Sequence, residues 1–338
     1  LSLLLVLDNA EHLLAALAPL VDRLLAQAPA LHIVVTSQEP LRTPGEQVYR
    51  LQPLALPQPA DDTDAERLMD SAAVRLFVDR VASRLPGFGL APQQQRAVAD
   101  ICRALDGLLG TEGEDTHLHR VPVLGVHGIA DMLLGADDSA RLHLLTQGAR
   151  TAAPRQRSLR DALRWSHDLL DDAQRRVFRR LGVFRGGFTL ASAQVVCGDE
   201  RLDRWAVLDA VHALVEKSLL VAAADVHADA PPRFMLLESL RAFALECLAE
   251  AGDAEATRLR HLQAAVAYWR QADARALSDP VLPWLARHLP ELDNLRAALR
   301  WALTGPEDPA RADGALALVG ASGPVWHRAG LVAEGRAA

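Results

Sequence analysis

The sequence has few of the residue types on which several common kinds of site depend. Its 338 residues include three cysteines and a single lysine, Lys217, and aromatic residues make up 4% of the chain. Because Cys102, Cys197 and Cys247 are widely spaced, they form neither a CxxC pair nor a disulfide framework, which favours a reducing, cytoplasmic location. The scarcity of aromatic residues, together with abundant Ala and Leu, favours helices over sheets.

Long apolar runs and a positive net charge are also missing. No stretch approaches the roughly 18 apolar residues of a membrane span, and "LSLLLVL" has no basic region and is too short for a signal peptide. The net charge of −7 argues against a generally basic nucleic-acid binder but allows a local basic face. We therefore expect a soluble protein with no membrane segment.

Motifs for hydrolysis and for zinc are weak or absent. No G-x-S-x-G elbow occurs, and no cysteine has a nearby His partner in the sequence, so hydrolase triads get no support. His117 and His119, beside Glu114 and Asp115, form an H-x-H motif. Because this motif lacks a second rigid pair of ligands, we expect no zinc site there.

What is present begins with a strand–helix–strand pattern. Residues 3–7 are a continuous apolar run, typical of a strand buried on both faces, and "LHIVVTS" is a second such run after a helical stretch that Pro29 ends. This order predicts a parallel βαβ unit. Asp8 and Thr36-Ser37 would then meet at the carboxyl edge, where open α/β sheets bind ligands. A carboxylate there can hold Mg²⁺ and nucleotide phosphates, or it can simply cap the next helix.

The remaining sequence is predominantly helical in pattern. The Pro-rich "LALPQPADDTD" predicts a linker, whereas "LGTEGEDTHLHRVPVLGVHG" lacks periodicity and predicts a loop. The short apolar runs "KSLLVAA" and "PRFMLLES" predict the two strands of a wing among helices. Near the C-terminus, "LRHLQAAVAYWRQA" and "LDNLRAALRWAL" predict antiparallel helix pairs that could begin a repeat array.

The segment "RQRSLRDALRWSHDLLDDAQRRVFRRL" is rich in arginine. Arg160, Arg164, Arg176 and Arg180 are candidates for a face that lies on DNA phosphates. Acidic residues alternate with them, so a solvated helix face is the alternative interpretation.

Taken in order, these stretches resemble one known family. The chain is similar to STAND-type signalling ATPases with an NB-ARC-like core and a central winged helix, as in bacterial predicted ATPases of winged-helix and LuxR-like regulators. The matching stretches include "LLVLDNAEHLL", "VVTSQEPLRTPGEQVYRLQPL", "ICRALDGL", "ALVEKSLL", "FMLLESLRAFALECL" and "ELDNLRAALRWAL". The resemblance implies a mainly α fold with a partial α/β P-loop-NTPase-type sheet at the N-terminus, then a helical lid, a winged helix and a helical, TPR-like region.

By this resemblance the chain divides into four parts. Residues 1–57 would be the C-terminal half of the nucleotide-binding domain, and residues 68–150 a helical lid with a disrupted loop at 108–122. Residues 151–250 would form the winged helix-turn-helix domain, and residues 255–338 the start of the helical sensor region.

The resemblance also assigns roles at the sheet edge. Asp8 would be the Walker B acid, catalytic and holding Mg²⁺ through water, while Thr36 and Ser37 would belong to sensor 1. The other candidates at this edge are Asn9 and Gln38 for the nucleotide, Glu11 for positioning water in catalysis, and His12.

Two departures from the family pattern affect this site. The family's phosphate-binding loop, G-x-x-x-x-G-K-[ST], should precede Asp8, and no such motif occurs in the sequence, so we expect an N-terminally truncated fragment. Gln38 stands where the family usually has an arginine that can neutralise phosphate charge. In addition, "GLLGTEGEDTHLHR" replaces the family's apolar "GLPLAIELAAAR".

The sequence therefore predicts a fragment of a STAND-type, ATP-binding signal-transduction and transcriptional regulator that works as a nucleotide-dependent switch. The implied cofactors are Mg²⁺ and ATP or ADP. Protein partners would bind the C-terminal helical region, and DNA would be bound by a terminal domain rather than by the central winged helix. The alternative is a non-catalytic helical and winged-helix interaction module, or a DNA-binding regulator.

We predict that the purified chain does not hydrolyse ATP at a useful rate, because its sequence lacks the loop that cradles the phosphates. The measurement is phosphate release from Mg·ATP by the parent chain and by its Asp8→Ala variant. Turnover by the parent chain that disappears in the variant would contradict this prediction.

Overall fold

A computed structural model describes residues 3–8, 10–11, 13–49, 51–62, 64–85, 87–105, 107, 121–135, 159–223, 231–304 and 308–337. Within these residues the architecture is mainly helical and carries two small sheets, in agreement with the sequence-based expectation of a mainly α fold.

The N-terminal part is the predicted parallel β–α–β unit. Strand β1 (Leu3–Leu7) pairs in parallel with β2 (Leu31–Val35), and helix α1 (Leu14–Gln27) connects them. The predicted burial of β1 on both faces is wrong for these residues: Leu3 and Val6 are each more than half exposed, since a two-stranded sheet offers few neighbours. Two strands do not establish a P-loop NTPase sheet, and that part of the fold class stays a prediction.

A helical unit follows the linker. Its helices are α2 (Ala65–Asp70), α3 (Ala72–Arg84), α4 (Gln95–Ala104) and α5 (Val121–Gly135). The side chain of Asp64 accepts the N–H groups of two residues at the start of α2, and Ser71 caps α3 in the same manner. Phe77, Ile101 and Leu133 are fully buried in its core.

Helix α5 corrects the sequence-based loop. The sequence through Gly128 lacks periodicity and predicts a loop, disrupted at 108–122, yet the structure is helical from Val121 onward. The helix is interrupted by a kink at Gly125, whose φ of 67° favours glycine. Burial of Val126, Ile129 and Leu133 in the core of the unit stabilises the helix despite its unfavourable composition. Residues 108–120 of the predicted loop lie outside the described residues.

The central part is a winged helix. Its elements are α6 (Leu159–Asp168), α7 (Asp172–Leu181), β3 (Phe188–Thr189), α8 (Leu190–Cys197), α9 (Arg204–Glu216), β4 (Val221–Ala223), β5 (Arg233–Met235) and α10 (Glu238–Glu250). The three strands form an antiparallel sheet in the order β3-β5-β4, so the predicted pair of wing strands is confirmed. Asp171, Thr189 and Asp203 cap the three successive helices α7, α8 and α9.

The C-terminal part is a helical array. It contains α11 (Ala254–Ala276), α12 (Val281–His288), α13 (Leu292–Thr304), α14 (Pro309–Arg328) and α15 (Val332–Ala337). Trp269 and Trp284 are buried in its core together with Leu295 and Leu318. Their burial agrees with the apolar spacing of the sequence, and the TPR-like assignment stays a prediction.

None of the helices in the described ranges has the length and apolar character needed to span a bilayer. All three cysteines are free thiols. Burial raises the pKa of Cys102 and Cys197 to about 12, so both remain protonated packing residues at neutral pH.

Candidate functional site

The structure brings Asp8 and Thr36 together at the carboxyl edge of the two-stranded sheet. The backbone N–H of Thr36 donates to the carbonyl of Leu7 at 2.9 Å, and the N–H of Ala10 donates to the carbonyl of Thr36 at 2.9 Å. These two bonds align the ends of the strands, and the hydroxyl of Thr36 donates to the carboxylate of Asp8. The result is an exposed carboxylate–hydroxyl pair at the edge where the βαβ pattern predicts a ligand.

The other candidates for this edge do not all join the pair. The amide of Gln38 donates to the hydroxyl of Ser166 on α6 at 2.9 Å, so its side chain is engaged by the winged-helix part rather than by the edge. The hydroxyl of Ser37 accepts the N–H of Glu39 at 3.2 Å in a local turn. Glu11 lies half-buried in the turn after β1. Asn9 and His12 are outside the described residues.

The donor set fits only one side of a magnesium–nucleotide site. Asp8 and Thr36 are oxygen ligands of the type that Mg²⁺ prefers, but the sequence contains no G-x-x-x-x-G-K motif to cradle phosphates. The lysine of such a motif has no substitute, because Lys217 is bonded to Glu39. In the described part of the chain, no group of three or more His, Cys, Asp or Glu side chains could hold a metal ion. The H-x-H motif of His117 and His119 lies outside the described residues.

The loop after β2 is fastened to the winged helix. Glu39 forms an ion pair with the ammonium group of Lys217, and Arg42 forms one with Glu216 at 2.6 Å. Both partners lie at the C-terminal end of α9. Together with the Gln38–Ser166 hydrogen bond, these contacts of residues 38–42 are referred to below as the 38–42 clamp.

The 38–42 clamp is distinguished by the burial of one of its ion pairs and by the positive φ angles of residues in or next to it. The side chains of Lys217 and Glu39 are 17% and 28% exposed, so water screens their pairing less than that of Arg42, which is 66% exposed. Among the described residues other than glycine, positive φ angles occur at Arg42 (59°) and Ser218 (58°), and both adjoin the clamp. Such angles cost about 1–3 kcal/mol each and concentrate where surrounding contacts impose them.

Sequence reasoning missed the clamp. The one signal available was that Lys217 is the only lysine, which marks the residue without revealing its partner. Glu39 and Lys217 are separated by 178 positions, and no local pattern connects them.

The predicted DNA-binding arginines do not form one face. Arg180 is 5% exposed, and its guanidinium donates to Asp253 at 2.6 Å, pairs with Asp199 at 2.7 Å and donates to the carbonyl of Cys197 at 2.7 Å. Its assignment to DNA phosphates is therefore wrong, since it has no free donor that points to solvent. Arg164 on α6 is exposed and Arg176 on α7 is half-buried. The side chain of Arg160 is outside the described residues.

None of these arginines lies on α9, the second helix of the α8–α9 helix-turn-helix, which would enter a DNA groove in this class of domain. The exposed residues of α9 are of mixed character: Arg204, Trp205, Asp209 and His212. Arg204 stacks over the ring of Trp205 at 5.0 Å. The C-terminal end of α9 carries Glu216, which would repel phosphates.

Comparison with known proteins identifies the central part of the chain. The family model of the winged helix-turn-helix domain matches residues 170–249, from α7 into α10, and confirms the predicted winged helix. The STAND-type nucleotide domain and the four domain boundaries stay predictions.

Relatives occur in mycobacteria. The chain is 37% identical over 334 residues to "Putative HTH-type transcriptional regulator Rv0890c" of Mycobacterium tuberculosis, a match that covers 98% of this chain and 34% of the relative. The same values hold for "Putative HTH-type transcriptional regulator Mb0914c" of Mycobacterium bovis. The chain is also 34% identical over 264 residues to "Uncharacterized protein Rv0894" of Mycobacterium tuberculosis, covering 76% of this chain and 60% of the relative. The chain thus spans about a third of the length of the first two relatives.

We predict that Arg180→Met destabilises the fold by about 3–5 kcal/mol, because it leaves the carboxylates of Asp199 and Asp253 without their buried partner. Denaturant unfolding measures this loss. Arg176→Met on the same helix is the matched control, since Arg176 makes no ion pair within the described residues, and it should change the free energy of unfolding little.

The Arg180→Met variant should also differ from the parent chain in how its stability depends on pH. Burial alone would raise the pKa of Asp199, but hydrogen bonds from Arg180 and from backbone N–H groups lower it to about 2. Because this lies below the unfolded value of about 3.9, the pair adds stability that is complete above about pH 4 and is lost as the pH falls toward 2. Arg180→Met should flatten this acid dependence, and an unchanged acid profile would contradict the assignment.

Proposed function

We propose that the chain is the regulatory core of a transcriptional regulator, in which the winged helix is a docked switch element rather than the reader of DNA. The observation that carries this proposal is the 38–42 clamp, which joins the loop directly after Thr36 to the end of α9. A change at the sheet edge would therefore reach the winged helix through two or three residues. The mycobacterial relatives whose names describe HTH-type transcriptional regulators support the regulatory role.

The surface of α9 supports the docked role. Its C-terminal end is occupied by the clamp, and its middle exposes Asp209 and His212 rather than a row of arginines. A separate contact, the Arg180 network, joins the domain to Asp253 at the start of the helical array. A winged helix that contacts two neighbouring parts is suited to changing its contacts when one of them moves.

The finer proposal is a nucleotide-dependent switch of the STAND type. Asp8 and Thr36 would form the magnesium side of the site, and a phosphate-binding loop would have to be supplied from outside these 338 residues. Within this chain, the role of Thr36 is to hold the Asp8 carboxylate and to lead directly into the clamp. We place the protein in the cytoplasm, where a transcriptional regulator acts.

A second candidate function is direct DNA binding by the winged helix. The match to the winged helix-turn-helix family favours it, as do Arg201 and Arg204, which are exposed at the N-terminal end of α9. In this case the clamp would still allow the first turn of α9 to reach a groove.

We predict that Lys217→Glu opens the clamp, because the substitution places two carboxylates where Glu39 and Lys217 now pair. Hydrogen exchange of the backbone amides of residues 38–46 should accelerate roughly tenfold or more. The charge-swapped double variant Glu39→Lys/Lys217→Glu should restore protection. Arg201→Glu, an exposed change of the same charge near α9, is the control, and an equal acceleration in that variant would contradict the clamp.

A DNA-binding measurement decides between the two candidates. If the winged helix is a docked element, fluorescence anisotropy with labelled duplex DNA should show no salt-dependent binding by this chain at low salt. Direct DNA binding predicts association that weakens with salt and is reduced by Arg204→Gln but not by Arg270→Gln, an exposed arginine on α11. The second pattern would replace the docked-element proposal.

A further inference from the structure

A half-open cleft with an internal volume of about 170 Å³ lies where the winged helix meets the helical array. Its walls come from the turn after α7 and from helices α10, α11 and α13. Gly182 lets this turn approach α10 closely, since a Cβ at that position would lie 3.1 Å from the Cβ of Ala244. This volume can admit a small anion, and the cleft is separate from the sheet edge that carries Asp8.

The cleft is strongly positive although the chain carries a net charge of −7. Among the described residues, four arginines and no acidic residue line it: Arg185, Arg241, Arg258 and Arg300. Arg241 is compensated, because its guanidinium donates to both carboxylate oxygens of Glu238 at 2.9 and 2.8 Å. The guanidinium groups of Arg258 and Arg300 make no hydrogen bond or ion pair within the described part of the chain. Two uncompensated cations therefore converge on one concave surface.

A buried histidine gives a second, independent indication of a ligand. His261 lines the cleft, is 5% exposed and finds no hydrogen-bond partner for its ring nitrogens among the described residues. Its ring packs edge-on against Phe184 at 5.1 Å, which fixes its orientation. Burial, together with the charge of Arg258, lowers the pKa of His261 to about 4, so the ring is neutral and offers one N–H donor. Buried polar groups normally have partners, and here the cleft is the place where one would lie.

The wall beside the arginines has an apolar part. Trp301 of α13 lines the cleft, and one face of its ring is already covered by the guanidinium of Arg311 at 4.1 Å. This contact holds the indole in place. The cleft thus combines a cationic end with a rigid aromatic wall.

We propose that this cleft binds a small anionic metabolite, whose phosphate or carboxylate group is held by Arg258 and Arg300 while its apolar part lies against Trp301. An anion placed between two converging guanidinium groups replaces their mutual repulsion with charge-assisted hydrogen bonds. The site does not depend on the nucleotide proposal, because none of its residues belongs to the sheet edge or to the clamp. Since the walls come from both the winged helix and the helical array, the bound anion would tie these two parts together.

Calorimetric titration of the purified chain tests this site with two probes, inorganic phosphate and citrate, at constant ionic strength maintained with chloride. At least one probe should bind saturably with a dissociation constant of about 1 mM or below. Arg258→Gln and Arg300→Gln should each weaken that binding roughly tenfold or more, the equivalent of one charge-assisted hydrogen bond. Binding of phosphate alone assigns a phosphate ligand, and binding of citrate alone assigns a carboxylate.

Arg270→Gln is the matched control, because Arg270 is an exposed residue of the same helix as Arg258 and the substitution changes the net charge equally. Circular dichroism of each variant tests whether it is folded. Because Arg300 is exposed on α13, Arg300→Gln should have little effect on the core. Absence of saturable binding by either probe up to about 10 mM would overturn the proposal. Equal weakening by Arg270→Gln would overturn it as well, since binding would then reflect net charge alone.

Discussion

The position of the winged helix depends on one buried guanidinium. Arg180 of α7 contacts the carbonyl of Cys197 and the carboxylate of Asp199 after α8, and it contacts Asp253 at the start of the helical array. Because this buried cation is bonded to three fixed acceptors, its charge stabilises a single arrangement of the three segments that carry them.

The contact between the winged helix and the loop after β2 is made by a more exposed set of charges. The 38–42 clamp includes one half-buried ion pair and one solvent-exposed pair, and both residues with a positive φ outside glycine in the described chain adjoin it. Backbone strain next to partly screened ion pairs makes this contact easier to release than the Arg180 network. The winged helix is thus joined more strongly to the helical array than to the loop after β2, an asymmetry that would suit the proposed switch.

Periodicity predicts the elements of this chain better than it predicts their contacts. The βαβ unit, the wing strands and the C-terminal helix pairs follow from apolar spacing that is visible within ten to twenty residues. Helix α5 escaped prediction because Gly125 and Gly128 interrupt the spacing of the apolar residues that pack in its core. The sequence does not reveal that Arg180 is engaged by Asp253, because the two residues are 73 positions apart. The clamp is equally hidden, because it joins residues 178 positions apart. Pairing over such separations is set by tertiary packing, which a single sequence does not display.

The central claim is that the winged helix is clamped to the loop that follows the sheet edge, and the composition of the chain allows a direct measurement of this contact. A zero-length carbodiimide couples a carboxylate only to an amine that already touches it, and Lys217 is the only lysine side chain available. Mass spectrometry of the cross-linked chain should find Lys217 joined to Glu39. A chain in which Lys217 stays unlinked, or is joined only to other carboxylates, would contradict the account.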